Sequence, residues 1–88
     1  MNVEFRKSFE KDLGNIHDEA LLQRIKSVIE EVENAENLKD VGNLKKLKAD
    51  GDYYRIRIGD YRIGLTVSED VVIFVRVLHR KDVYRYFP

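Results

Sequence analysis

The sequence predicts an α+β domain: a short N-terminal strand, two helices packed on one face of an antiparallel sheet, and a short C-terminal segment. Three observations predict it. Apolar residues recur at spacings of three and four between Phe9 and Ala35, the mark of helices with one buried face. From Tyr53 onward the period becomes two, the mark of strands. The chain has 88 residues, no linker, repeat or low-complexity stretch, and a single Pro at its end, so residues 1–88 read as one domain with one modest core.

The first segment, NVEF (2–5), reads as a short strand. Ser8 is placed to cap a helix whose Phe9, Leu13 and Ile16 share one face, and Gly14 and Asn15 shorten or kink its end. Asp18 caps a second helix carrying the stripe Leu21, Ile25, Val28, Val32 and Ala35, widened by Leu22 and Ile29. Its outer face is Glu, Lys, Arg and Gln, so the stripe is expected to pack on the sheet. NLKDVGNLKKLKADGD (37–52) reads as a connection, which sets Lys45, Lys46 and Lys48 beside the start of the sheet.

In YYRIRIGDYRIG (53–64), Tyr54, Ile56 and Ile58 fall on one face, and Tyr53, Arg55 and Arg57 on the other. Gly59-Asp60 fits a two-residue type II′ turn, which fixes the register: Ile58 opposes Tyr61, Arg57 opposes Arg62, Ile56 opposes Ile63 and Arg55 opposes Gly64. Like charges set across a sheet cost up to about 1 kcal/mol. A solvated outer face does not need Arg57 against Arg62 with Arg55 one pleat away, unless Asp52, Asp60 or a C-terminal acid neutralises them. SED (68–70) turns the chain into VVIFVRVL, apolar on both faces as for a covered central strand. If Val67 opposes Val71, Arg76 lies across from Arg62; a bulge in this turn breaks that pairing. In HRKDVYRYFP, His79 is the side chain at the sheet end whose type titrates near neutrality. Arg80, Lys81 and Arg85 add charge, Tyr84 and Tyr86 offer rings for base stacking, and Phe87 is expected to fold back as a latch.

Composition excludes several classes of chemistry. Without Cys there is no disulfide framework and no thiolate metal site, and the two His residues lie far apart without companion ligands, so no metal or cofactor is expected. No apolar run approaches a membrane span and the N-terminus lacks the apolar core of a secretion signal, so a soluble, cytoplasmic protein without membrane partners is expected. Net charge is zero but unevenly spread. Residues 1–38 hold five Lys/Arg against nine Asp/Glu, and residues 39–88 hold eleven against seven, or −4 followed by +4. A basic surface on a neutral protein is therefore plausible.

The series YYRIRIGDYRIG, the strand ending RVLHRKDVYRYF, the preceding NLKKLK and the two helices together resemble the RelE/ParE toxin superfamily, particularly its RelE-like mRNA interferase branch. The resemblance spans essentially the whole chain. It implies a RelE-like fold and a toxin of a type II toxin–antitoxin system that cleaves translated mRNA in the 30S A site. The implied partners are mRNA, the ribosome and a cognate antitoxin. Position by position, the resemblance matches basic residues of the first hairpin strand to Arg55 and Arg57, the arginine after the turn to Arg62, and the basic residue closing the last strand to Arg80. The following aromatic is matched most nearly by Tyr84, with Tyr86 competing for the role. His79 falls where some relatives carry a catalytic His and others a Lys. The neutral charge departs from the strongly basic character of many such toxins.

RNA supplies its own nucleophile, the 2′-OH, so a metal-free enzyme needs proton transfer and charge stabilisation only. Guanidinium groups suit the second task and not the first. The catalytic set that the resemblance implies, read with this chemistry, is Arg57, Arg62, His79, Arg80 and Tyr84, with His79 the first choice for proton transfer and Tyr84 the alternative. The expected RNA- and phosphate-binding set is Lys46, Lys48, Arg55, Arg76 and Tyr86. Two other readings compete: a ParE-like inhibitor of DNA gyrase, and a non-catalytic RNA- or ribosome-binding module.

Overall fold

The β3–β4 hairpin organises the molecule. In the computed structural model, which describes residues 1–88, β3 (Tyr53–Ile58) and β4 (Tyr61–Ser68) pair antiparallel in the register the turn dictates: Arg57 faces Arg62, Ile56 faces Ile63 and Arg55 faces Gly64. Gly59 takes φ 56°, the left-handed conformation that the first position of such a turn requires. A second hairpin adds β5 (Val71–His79) beside β4.

β5 is the seam of the sheet, with β4 on one side and β1 (Asn2–Phe5) on the other. β1 pairs with it in parallel, Asn2 against Val71 through Phe5 against Phe74, so the sheet is mixed. The far edge is β2 (Leu44–Lys46), antiparallel to β3, giving the order β1-β5-β4-β3-β2. The connection read from 37–52 thus contains a strand, preceded by a 3-10 turn at Leu38–Asp40.

α1 (Lys7–Gly14) and α2 (Glu19–Asn34) cover one face. Asp18 caps α2 as its position suggests, its Oδ1 accepting the Leu21 N–H at 3.1 Å. Leu21, Ile25 and Val32 are buried, and Val28, Ile29 and Ala35 pack against the same core. Opposite them lie Ile56, Ile58, Ile63, Leu65, Val72, Phe74 and Val77, with Phe9 from α1. Each such side chain is worth about 1.5–3 kcal/mol when fully removed from water. The Phe9 and Phe74 centroids are 5.4 Å apart and tilted by 59°, and Phe5 stacks on both.

Two local expectations are corrected. Ser8 does not cap α1; the N-cap is Arg6, without a side-chain bond, and Ser8 Oγ donates to the Val75 carbonyl at 2.6 Å. The reason is that β1 stops at Phe5. Beyond Phe74 the outer edge of β5 has no strand neighbour, and α1 supplies side chains in its place. The second correction concerns the turn after β4. Ser68, not Val67, opposes Val71, and a bulge leaves Val75 unpaired between Leu65–Phe74 and Gly64–Arg76. Arg76 therefore lies across from Gly64, and Arg62 faces Leu78.

α3 (Val83–Tyr86) follows β5 and lies with the C-terminus across the sheet face that the helices leave open. Val83 and Phe87 are both buried.

Candidate functional site

Strand alternation divides the sheet's side chains between a helix-covered face and an open one. On the open face β3 contributes Arg55 and Arg57, and β4 contributes Arg62, Gly64 and Thr66. β2 adds Lys45, the direct partner of Arg55, and β5 adds Arg76 across from Gly64. The result is two short rows: Lys45, Arg55, Gly64 and Arg76, then Arg57, Arg62 and Leu78.

These cations differ in how they are tied. Arg57 makes no side-chain hydrogen bond or ion pair within the chain. Arg62 curls back over the turn, Nη1 donating to the carbonyls of Gly59 at 2.8 Å and Tyr61 at 2.9 Å. Arg55 Nη1 donates to the Asn43 carbonyl at 2.8 Å, while its Nε is buried without a partner. The three ion pairs of the molecule are Lys46–Asp52, Arg76–Asp12 and Arg80–Asp60, so no carboxylate neutralises Arg55, Arg57 or Arg62. Asp52 and Asp60, the sequence-derived candidates for that task, bind Lys46 and Arg80 instead.

Arg80 joins the site at the same turn. Its backbone N–H donates to the Asp60 carbonyl at 2.7 Å and its Nε lies 3.8 Å from Asp60 Oδ1, so Arg62 and Arg80 are both anchored on Gly59-Asp60. Tyr84 and Tyr86 are exposed on α3, at 60% and 54%. Phe87 is the latch the sequence suggests: it is 2% exposed and meets Tyr53 edge-on at 5.6 Å. It also fills the space a side chain at Gly64 would need, for a Cβ there would stand 2.6 Å from the ring.

Three expected residues lie elsewhere. His79 pairs with Tyr61, so its ring sits on the helix-covered side, edge-on to Tyr61 at 5.5 Å, with Nδ1 accepting the Lys81 N–H at 3.2 Å. Alternation separates it from Arg57 and Arg62. Lys46 pairs with Tyr54, also off the arginine face, where its Nζ lies 3.5 Å from Asp52 and 5.9 Å from the Tyr54 ring. Lys48 is exposed beyond the end of β2. Arg76 is on the open face but committed to Asp12, whose hydrogen bond raises the guanidinium pKa above its ordinary value against the opposing effect of burial. Lys45, which the sequence reading set beside the sheet but left out of the RNA-binding set, is the lysine that joins the arginine face. Only recognition of LKK as an edge strand would have placed it opposite Arg55. No cluster of three His, Cys, Asp or Glu side chains is placed to hold a metal ion. No helix is long and apolar enough to cross a membrane.

A mixed five-stranded sheet with helices on one face is an architecture this chain shares with toxins of toxin–antitoxin pairs. A sequence model of the ParE toxin of the type II toxin–antitoxin system parDE matches residues 3–84, and the chain belongs to that family. Within it the chain is a RelE-type toxin. It is 49% identical to Toxin RelE3 of Methanocaldococcus jannaschii over 89 residues, covering 100% of both chains. It is 32% identical to a putative toxin RelE1 of the same organism, covering 92% of this chain and 90% of that one. Among solved structures, the RelB–RelE antitoxin–toxin complex from Methanococcus jannaschii contains a chain that superimposes with TM-score 0.82 at 47% identity, covering 97% of this chain and 99% of that one. The archaeal RelE–RelB complex from Pyrococcus horikoshii OT3 shares the fold, with TM-score 0.74, 24% identity, and coverage of 93% and 97%.

Proposed function

We propose that this toxin is a ribosome-dependent, metal-independent endoribonuclease that cleaves translated mRNA in the 30S A site. The observation that carries the reading is Arg57 opposite Arg62 on an open sheet face, with no carboxylate paired to either. A scissile phosphate is the missing counter-charge. The RNA 2′-OH attacks the adjacent phosphorus; the O2′–P bond forms, the P–O5′ bond breaks, and a 2′,3′-cyclic phosphate results. Arg57 and Arg62 bind the nonbridging oxygens, where bidentate guanidinium bonds strengthen as charge grows on the phosphorane. Arg80, fixed on the same turn, adds to that field. Arg55 and Lys45 hold the flanking backbone. Proton transfer goes to Tyr84, whose hydroxyl takes the 2′-OH proton and gives one to the departing O5′, because His79 lies on the opposite face.

The partners follow from the same surface. The open cationic face suits an acidic, partly disordered antitoxin segment that folds on binding, and the RelB–RelE complexes of its structural relatives support a cognate antitoxin.

Gyrase inhibition is the second reading, favoured by the match to the parDE toxin family. Induced expression with mapping of mRNA 5′ ends, run beside a supercoiling assay, separates the two. Cuts within translated messages support the nuclease; intact messages with blocked supercoiling overturn it.

A further inference from the structure

Arg76 is the one open-face cation with a carboxylate built for it. Asp12, only 7% exposed, receives Arg76 Nε on Oδ2 at 2.7 Å and Nη2 on Oδ1 at 3.0 Å, a bidentate grip. Its Oδ2 also accepts the Val77 N–H at 3.0 Å, on the edge of β5 that β1 leaves uncovered. Three bonds to one buried carboxylate leave the guanidinium little freedom. The bulge at Val75 makes this possible, since it sets Arg76 rather than Val75 across from Gly64.

The guanidinium carbon, so held, lies 5.6 Å from the centre of the Tyr86 ring, within cation–π range. Tyr86 ends α3, and the next residue, Phe87, sits on Gly64 beside Arg76. A rigid line thus runs from α1 through β5 to the C-terminal aromatics.

We propose that Arg76 is a positioning residue: clamped by Asp12, it fixes Tyr86 at the margin of the arginine face as the ring on which an RNA base stacks. This rests on the nuclease reading for its RNA and not for its structural half. It settles the rivalry between the two exposed tyrosines, with Tyr86 as platform and Tyr84 left for proton transfer. A lysine at 76 keeps the charge and loses both the forked grip and the planar face.

The test has two arms. In the isolated toxin, amide exchange at Val83–Tyr86 is compared with that at Ile63 and Leu65. Arg76→Lys and Tyr86→Ala should each speed exchange in α3 about tenfold and leave the core amides unchanged. The double variant should do no more than either alone. Unchanged exchange in α3, or fully additive effects, overturns the proposal. Because a buried Asp12 left without its arginine destabilises the whole chain, Asp12→Asn with Arg76→Gln, which removes both charges together, is carried in parallel and should loosen α3 equally.

In the second arm, cleavage of a translated message is followed. Arg76→Lys and Tyr86→Ala should raise KM about tenfold with kcat within about threefold, as for lost substrate placement. A fall in kcat at constant KM overturns the positioning role. Absence of cleavage by the unaltered toxin counts against the nuclease reading alone, and the exchange arm then judges whether Arg76 holds α3.

Discussion

Arg57 and Arg62 are direct cross-strand partners on the open face of the β3–β4 hairpin, and no carboxylate is paired to either. Facing cations cost folding energy. Arg62→Ala should therefore abolish growth inhibition while leaving stability within about 1 kcal/mol of the parent, on the favourable side if repulsion outweighs its bonds to Gly59 and Tyr61. Denaturant unfolding beside an induction assay checks both halves. A variant that unfolds would make Arg62 a structural arginine.

His79→Asn should lower cleavage less than about tenfold, whereas Arg57→Ala should lower kcat by about 100- to 1,000-fold. His79 is on Tyr61's side of the sheet and Arg57 is not. Rates measured on a translated message decide it: a loss in His79→Asn as large as that in Arg57→Ala would return that histidine to the reaction.

Gly64→Ala should loosen the C-terminus. The added Cβ meets three carbons of the Phe87 ring at 2.6–2.8 Å, so the ring must leave its seat, at a cost of about 1–3 kcal/mol. Combined with Phe87→Ala, the glycine substitution should cost little more. Limited proteolysis near residue 83 and thermal unfolding of the single and double variants measure this coupling.

Asp12→Asn should destabilise by about 3 kcal/mol, because it weakens a buried carboxylate's grip on the partly buried Arg76 and one bond to the β5 backbone. The Arg76 pKa is raised in the folded state, so the arginine's contribution is complete below its unfolded value and is lost only as pH rises through the folded one. Unfolding free energies between about pH 7 and pH 10 should consequently show no slope from Arg76.

Glu69 takes φ 55° in the turn between β4 and β5, a conformation costing a residue with a Cβ about 1 kcal/mol. Glu69→Gly should raise the unfolding midpoint slightly without altering toxicity. A lower midpoint would mean that the carboxylate has a role in the turn.

What was legible in the sequence was what neighbours decide. Gly59-Asp60 sets register over a few residues, so the Arg57–Arg62 pair and the faces of β3 and β4 could be read directly. Asp18 and the α2 stripe are likewise local. β2 escaped notice because three residues rich in lysine on a sheet edge carry no period. Ser8 reads as a cap by position, but its hydroxyl serves Val75, 67 residues away. The one-residue shift at the turn and the bulge at Val75 together moved Arg76 from Arg62 to Gly64, and its partner Asp12 is 64 residues distant. His79 was grouped with the arginines by its place at the sheet end and by resemblance, although period two counted from Arg76 already sets it on the other face, where it pairs with Tyr61.

The parallel pairing of β1 with β5 orders events during synthesis. Asn2 waits for Val71, so β1 has no strand neighbour until β5 has been made. The two hairpins of β3, β4 and β5 join segments adjacent in the chain, whereas β1 must close a loop of more than 60 residues, a slower kind of encounter. Asp12 also finds Arg76 only at that stage, so β1 and α1 both stay unanchored until β5 is available to receive them.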